Sequence, residues 1–282
     1  MIMRINTPKT RKQVVLSVLA LGAVVYFAFP FVWMVLTSLK TPPDLFTIPA
    51  RFLPEHGFDL SPYLVIWTRQ RFGLYFLNTV RVAFFAVSLS VAAATLAGLG
   101  FSRYKFPFRH QLMLMSLLGQ LFPLVLLVMP FYFVWRQWGI LDTHLSLVLS
   151  YTAFSLPYSI WMLTGYFGAI PVELEESAMI DGTSRFGAYI RVTLPLAAPG
   201  VVATIVYCTI LAWNEFLFAT TFISTPRLQT LTIGLNRFID QYEIAWNMLM
   251  AGAVITTLPV VLLFIFLQKF LIKGMTAGAV KT

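Results

Sequence analysis

The sequence has little reactive chemistry to offer. Its single cysteine, Cys208, sits inside an apolar run, so no internal disulfide can form. The three histidines, His56, His110 and His144, stand alone, without the close spacing of metal ligands. Charged residues of both signs make up only 11% of the 282 positions, where a soluble domain carries about 25%. There is no Gly-rich loop ending in Lys-Ser or Lys-Thr, so the chain does not cradle nucleotide phosphates in the usual way. What is abundant is apolar: 59% of residues are hydrophobic and 16% are aromatic. That is the composition of an integral membrane protein. A formal charge of +9 would point a soluble chain toward nucleic acid. In a membrane protein, excess cations mark the cytoplasmic side.

Six apolar stretches are near or above the roughly 20 residues that a bilayer crossing needs. They run over 14–39, 74–100, 112–135, 145–168, 196–221 and 247–268. The first is too long for a signal-peptide core and has no convincing cleavage site, so it reads as a retained span. The expected fold is therefore all-α with six spans in a membrane domain over 14–268. A basic N-terminal segment, 1–13, precedes it, and a tail, 269–282, follows. Segment 41–71, polar and rich in proline, reads as an external loop. Of the 20 Lys and Arg, 12 lie in the two termini and in segments 102–111 and 168–196, against 7 in the opposite loops. Both termini are therefore expected in the cytoplasm.

Segment 170–195 is the wrong kind of sequence for its neighbourhood. Between two spans it holds four of the chain's 11 acidic residues, Glu173, Glu175, Glu176 and Asp181. Pro171 followed by acids reads as a helix start, with negative charge against the positive end of the helix dipole. Leu174, Ala178 and Met179 recur at helical spacing along one side. Gly182 breaks the pattern where a turn is needed, and a second short helix runs from Phe186 to Leu194-Pro195. An amphipathic helix–turn–helix on lipid favours Lys and Arg. This one is acidic, which favours a protein partner.

Glu176-Ser177-Ala178, then Gly182, then Val192-Thr193-Leu194-Pro195 resemble the EAA motif of ABC-importer permeases, with Ser177 and Val192 in place of the usual Ala and Ile. The resemblance implies a coupling helix seated in a cleft of a cytoplasmic ATPase, carried by Glu173, Glu175, Glu176, Ser177, Ala178, Asp181, Gly182, Leu194 and Pro195. It extends along the chain. Phe101-Ser102-Arg103-Tyr104-Lys105-Phe106-Pro107, Gly139-Ile140-Leu141-Asp142-Thr143, Trp213-Asn214-Glu215-Phe216 and the tail from Gly274 to Lys281 are similar to the second permease subunit of the carbohydrate (maltose-type) branch. Such a subunit is no enzyme. It implies a second permease, an ATPase homodimer that holds ATP and Mg, an extracytoplasmic solute-binding protein and a sugar-like substrate, with no cofactor in this chain.

The translocation path is drawn from polar groups within spans: Asn78, Gln120, Tyr158, Asn214, Glu215 and Thr257. Intramembrane charge is functional by default. Arg81 and Glu215, however, lie toward span ends, where snorkelling or helix capping accounts for them. Gln120 and Thr257 each precede a proline, which frees backbone carbonyls for a polar substrate. Relatives that carry polyols or glycerol phosphates offer an alternative substrate class. An ion-coupled secondary carrier would need a buried coupling site and repeat symmetry, and a membrane enzyme a convergent nucleophile or metal set. The spans show neither.

Overall fold

The computed structural model describes residues 11–239 and 244–279, with side chains described for 13–239 and 244–270. Most of the basic N-terminal segment (1–10), the end of the tail (280–282) and residues 240–243 lie outside the described residues. The chain forms two compact units, one of residues 1–69 with 238–255, the other of 70–237 with 256–282.

In the first unit, helix α1 (Arg11–Ser38) is apolar on every face and buries none of its most apolar window within the chain. A helix hydrophobic all round needs lipid or another protein around it. The segment after it contains two short helices, Pro42–Leu45 and Ser61–Thr68. Asp44, itself buried, organises it by accepting hydrogen bonds from Thr41 Oγ1 (2.9 Å) and pairing with His56 Nδ1 (2.8 Å). His56 is thus a loop fastener.

The second unit is built on α2 (Phe72–Arg103) and α5 (His144–Gly168), which pack along their lengths. The buried face of α2 carries a run of small residues along its middle and end: Ala83, Ala86, Ser90, Ala94 and Gly98. Small residues let two backbones approach in a membrane, where dispersion and hydrogen bonds replace the hydrophobic drive. At Gly98 the approach is closest, since an added Cβ would stand 3.1 Å from Leu163 Cβ. The buried residues of α5 include Leu147, Tyr151, Ser155, Ser159, Leu163 and Phe167, four apart and hence on one stripe. Its hydroxyls stitch the seam: Ser90 and Ser155 share a hydrogen bond of 2.8 Å, and Ser159 meets Cys208 of α7 (Ala198–Asn214) at 3.3 Å. Cys208 is buried packing.

Two expected spans are broken. Segment 112–135 is two helices, α3 (Arg109–Leu118) and α4 (Leu124–Gln137), bent by 100°. Pro123 lacks an N–H and forces Phe122 into an extended conformation (ψ 130°), which ends one helix and starts the next. Segment 196–221 is α7, a break at Glu215-Phe216, and the short α8 (Leu217–Phe222). The last helix, α9 (Trp246–Ala279), continues through Gly274 and Gly278, where composition alone suggests an irregular tail. Each glycine costs a helix about 1 kcal/mol relative to alanine, too little to stop one already propagating.

Asp142 fastens the loop between α4 and α5 to the loop after α8. Its Oδ1 accepts the backbone N–H groups of Ser224 and Thr225 (2.9 Å each), and its Oδ2 accepts Thr225 Oγ1 (2.6 Å). Burial pushes this carboxyl up, but the hydrogen bonds from Thr225 and Ser224 outweigh it and hold the pKa below the ordinary value. The stabilisation is therefore complete above the unfolded-state value of about 3.9 and is lost as pH falls through the lower folded value. Asp142→Ala is expected to destabilise by about 2–3 kcal/mol at neutral pH. Thermal unfolding in detergent should show that deficit, and show it shrinking below pH 4 as the wild type loses the same contribution.

Candidate functional site

The segment between α5 and α7 forms a compact projection. Helix α6 (Glu173–Ile180) begins two residues after Pro171, so the proline sets up the turn before the helix rather than lying within it. Glu173, Glu175 and Glu176 fall in the first turn, where the dipole favours them. Asp181 is the C-cap. Gly182 follows at φ +88°, with Thr183 N–H donating to Ala178 O (3.0 Å) and Gly182 N–H to Met179 O (3.1 Å). These two bonds are a Schellman closure, which needs the left-handed residue glycine supplies. A Cβ at Gly182 would meet nothing within 4 Å, so the constraint is backbone angle alone.

After the turn, Ser184 caps the next helical turn by accepting from Gly187 N–H (3.2 Å). The helix does not end at Leu194-Pro195. It passes through a π-bulge over Tyr189–Thr193, with Leu194 N–H reaching Tyr189 O, and runs on to Leu196. The widened turn accommodates the proline's missing N–H. A 74° bend at Ala197 then leads into α7.

The outer surface of this projection is acidic and apolar together. Glu173, Glu176, Ser177 and Asp181 are exposed, and so are Leu174, Phe186, Ile190 and above all Ile180, at 86%. Ala178 and Leu194 are half-buried and Pro195 is exposed. Glu175 is the exception, only 4% exposed. Its Oε1 accepts from Arg103 Nε (2.8 Å) and Nη2 (2.7 Å) and from Thr193 Oγ1 (2.6 Å). Arg103 Nη2 also donates to Ile170 O (3.1 Å). The inward face of α6 therefore carries an acid while Leu174 points outward, the reverse of the apolar stripe that spacing alone suggests. The reason is the guanidinium waiting beneath it. Beside this pair, hydrogen bonds from Tyr189 and then Arg185 hold the Tyr104 hydroxyl below its ordinary pKa.

Of the polar groups within spans, the structure brings three around one cavity of about 310 Å3 at the two helix breaks. Asn214 and Glu215 line it, with Leu124 and Phe154. Gln120 Nε2 reaches its wall by donating to Phe154 O (2.8 Å), a carbonyl one turn before Pro157. Asn214 is exposed and bonds back to Ile210 O (2.8 Å). Glu215 is buried, caps α8 by accepting from Phe218 and Ala219 N–H (2.7 and 3.1 Å), and accepts from Tyr151 hydroxyl (2.8 Å).

The other three stand elsewhere. Asn78 is buried and donates to Arg227 O and Gln229 O (2.9 Å each), holding a loop. Tyr158 packs against Tyr207, a residue that span-by-span reasoning passes over, with ring centroids 4.6 Å apart and planes tilted by 48°. Thr257 is half-buried on α9, and Arg81 is exposed on α2. Among the described residues, no group of three His, Cys, Asp or Glu can hold a metal ion.

Comparison with known proteins places this arrangement. Residues 63–277 match the family model described as binding-protein-dependent transport system inner membrane component. The chain is 34% identical over 253 residues to the sulfoquinovosyl glycerol transport system permease protein SmoH of Agrobacterium fabrum, covering 90% of this chain and 88% of that protein. It is 33% identical over 273 residues to the trehalose/maltose transport system permease protein MalG of Thermococcus litoralis, covering 96% and 97%. A chain of a bacterial ABC transporter that imports the acidic polysaccharide alginate superposes with a TM-score of 0.76 at 20% identity, over 93% of this chain and 99% of that one. At that identity the likeness is one of fold.

Proposed function

Because the chain belongs to the family of inner-membrane components of binding-protein-dependent transport systems, we infer that it drives sugar movement by rigid rocking of its spans under the push of a partner ATPase. It is a multi-pass permease subunit of a sugar ABC importer, a transport component and not an enzyme. It works with a second permease, an ATPase and a binding protein. The finer assignment is that two copies of one ATPase carry ATP and Mg and that no cofactor binds here. The projection around α6 would then be the cytoplasmic contact, with both termini on that side.

The observation that carries this reading is the exposed face of α6, where Ile180 and Leu174 stand beside Glu173 and Glu176 on a helix closed by its own Schellman turn. An apolar anchor ringed by acids suits a protein cleft with a basic rim. A rigid helix seated there converts ATPase closure into motion of the spans it joins. Sugar or sugar-derivative substrates follow the relatives. The relative that handles sulfoquinovosyl glycerol keeps glycerol-bearing molecules within that range.

The test is to purify the tagged chain from its native host in mild detergent. ATP hydrolysis is then assayed with the binding protein and a panel of maltose, trehalose and sulfoquinovosyl glycerol. An ATPase and a second permease should copurify, with hydrolysis stimulated by one loaded binding protein. Ile180→Asp changes only exposed surface and should cut ATPase copurification at least tenfold, on the order of one lost interface anchor. A chain that purifies alone would return the ion-coupled carrier as the reading.

A further inference from the structure

The buried ion pair beneath α6 joins elements that are distant in sequence. Arg103 is the last residue of α2. Its side chain is 6% exposed and that of Glu175 is 5% exposed. One carboxylate oxygen collects donors from the end of α2 and from Thr193, in the run that leads into α7. The same guanidinium holds the Ile170 carbonyl, just past the end of α5. Four segments therefore meet at one charged node: α2, α5, α6 and the lead into α7. The chain already links α6 covalently to α5 and α7. Arg103 ties it to α2 as well.

The surroundings make this node rigid. Ala94 and Leu99 of α2 pack with Leu163 and Phe167 of α5 and with Ala197 in one buried cluster, and Tyr189 and Leu194 cover it. Gly98 brings α2 against α5 five residues before Arg103. Two charges taken out of water are held only while their geometry is kept, because breaking one partner leaves the other buried and unpaired. The Arg103 fork is planar and donates in fixed directions, so it specifies an angle as well as a distance.

We propose that Arg103 and Glu175, with Thr193, are positioning residues that clamp α6 to α2, so that force on α6 moves α2, α5 and α7 as one body. Glu175 is then an internal anchor and takes no part in docking, unlike Glu173 and Glu176. The inference rests on the reading of α6 as the ATPase contact.

The test uses the whole importer in lipid nanodiscs and proteoliposomes, with whichever panel sugar stimulates the wild type. Two variants are compared, Glu175→Gln and the double Arg103→Met/Glu175→Leu. The second removes both charges while keeping apolar bulk, so it avoids an unpaired buried ion and folds even where the first does not. Both should retain ATPase copurification, because the outer face of α6 is untouched. Sugar moved per ATP hydrolysed should fall about tenfold, within the usual range of coupling between sites. Arg103→Lys, which keeps charge but loses the fork, should fall between. An unchanged ratio in assembled Glu175→Gln and double variants overturns the clamp. Absence of an ATPase from the wild-type preparation overturns the coupling reading instead, and Ile180→Asp separates the two by losing the ATPase itself.

Discussion

Glu215→Ala is expected to destabilise the importer subunit by about 3–9 kcal/mol, taking about 1–3 kcal/mol for each buried donor left without an acceptor. Three donors would be orphaned: the Tyr151 hydroxyl and the backbone N–H groups of Phe218 and Ala219. Glu215 is only 8% exposed, so water cannot replace its carboxylate fully. A domain is stable by only about 5–15 kcal/mol, so the break between α7 and α8 should open and expression should fall. Glu215→Gln cannot rescue the site completely, because either amide orientation sets an NH2 against a donor. Tyr151→Phe removes one bond and should cost about 1–2 kcal/mol. Thermal unfolding in detergent ranks the three. An alanine variant that keeps its stability and assembly but loses transport would instead put Glu215 on the sugar's path, since it lines the cavity at the helix breaks.

That ambiguity shows where reading the sequence stops. Hydropathy finds the long apolar helices α1, α2 and α9, because a segment in lipid must satisfy its backbone internally, so there apolar length and helix coincide. The turn at Gly182 is equally legible, because only glycine adopts its φ of +88° at no cost. The break at Pro123 could have been anticipated from the missing N–H. The break at Glu215 could not: caps are usually Ser, Thr, Asp or Asn, and a glutamate that reaches two N–H groups ahead looks like any other intramembrane charge. Glu175 is the sharper case. Its neighbours Glu173 and Glu176 are exposed, and nothing within the helix distinguishes them. What turns it inward is Arg103, 72 positions earlier, in a motif whose arginine has no assigned role until the fold brings it under α6. Local pattern specifies the elements. Which face of a short helix is buried is decided by a partner that pattern alone does not name.

The same limit applies to Gly200, which looks incidental in the sequence and is not. It sits in the first turn of α7 and is buried. A Cβ there would lie 2.3 Å from Tyr166 Cγ, 2.5 Å from Cδ2 and 2.8 Å from Cβ. The last of these matters most, because Tyr166 can swing its ring to another rotamer but cannot move its Cβ without moving α5. Gly200→Ala gains about 1 kcal/mol of helix propensity and loses about 1–3 kcal/mol to overpacking. The clash should win, and thermal unfolding should show a lower midpoint. Gly200→Leu adds bulk that no rotamer change absorbs, and it should separate α7 from α5 directly above the bend at Ala197, so that subunit assembly is lost. A raised midpoint for Gly200→Ala would mean that α5 and α7 can part at this contact without cost. The body that α6 is proposed to move would then be hinged at α7, and force from the ATPase would reach α2 and α5 but not the cavity wall that α7 supplies.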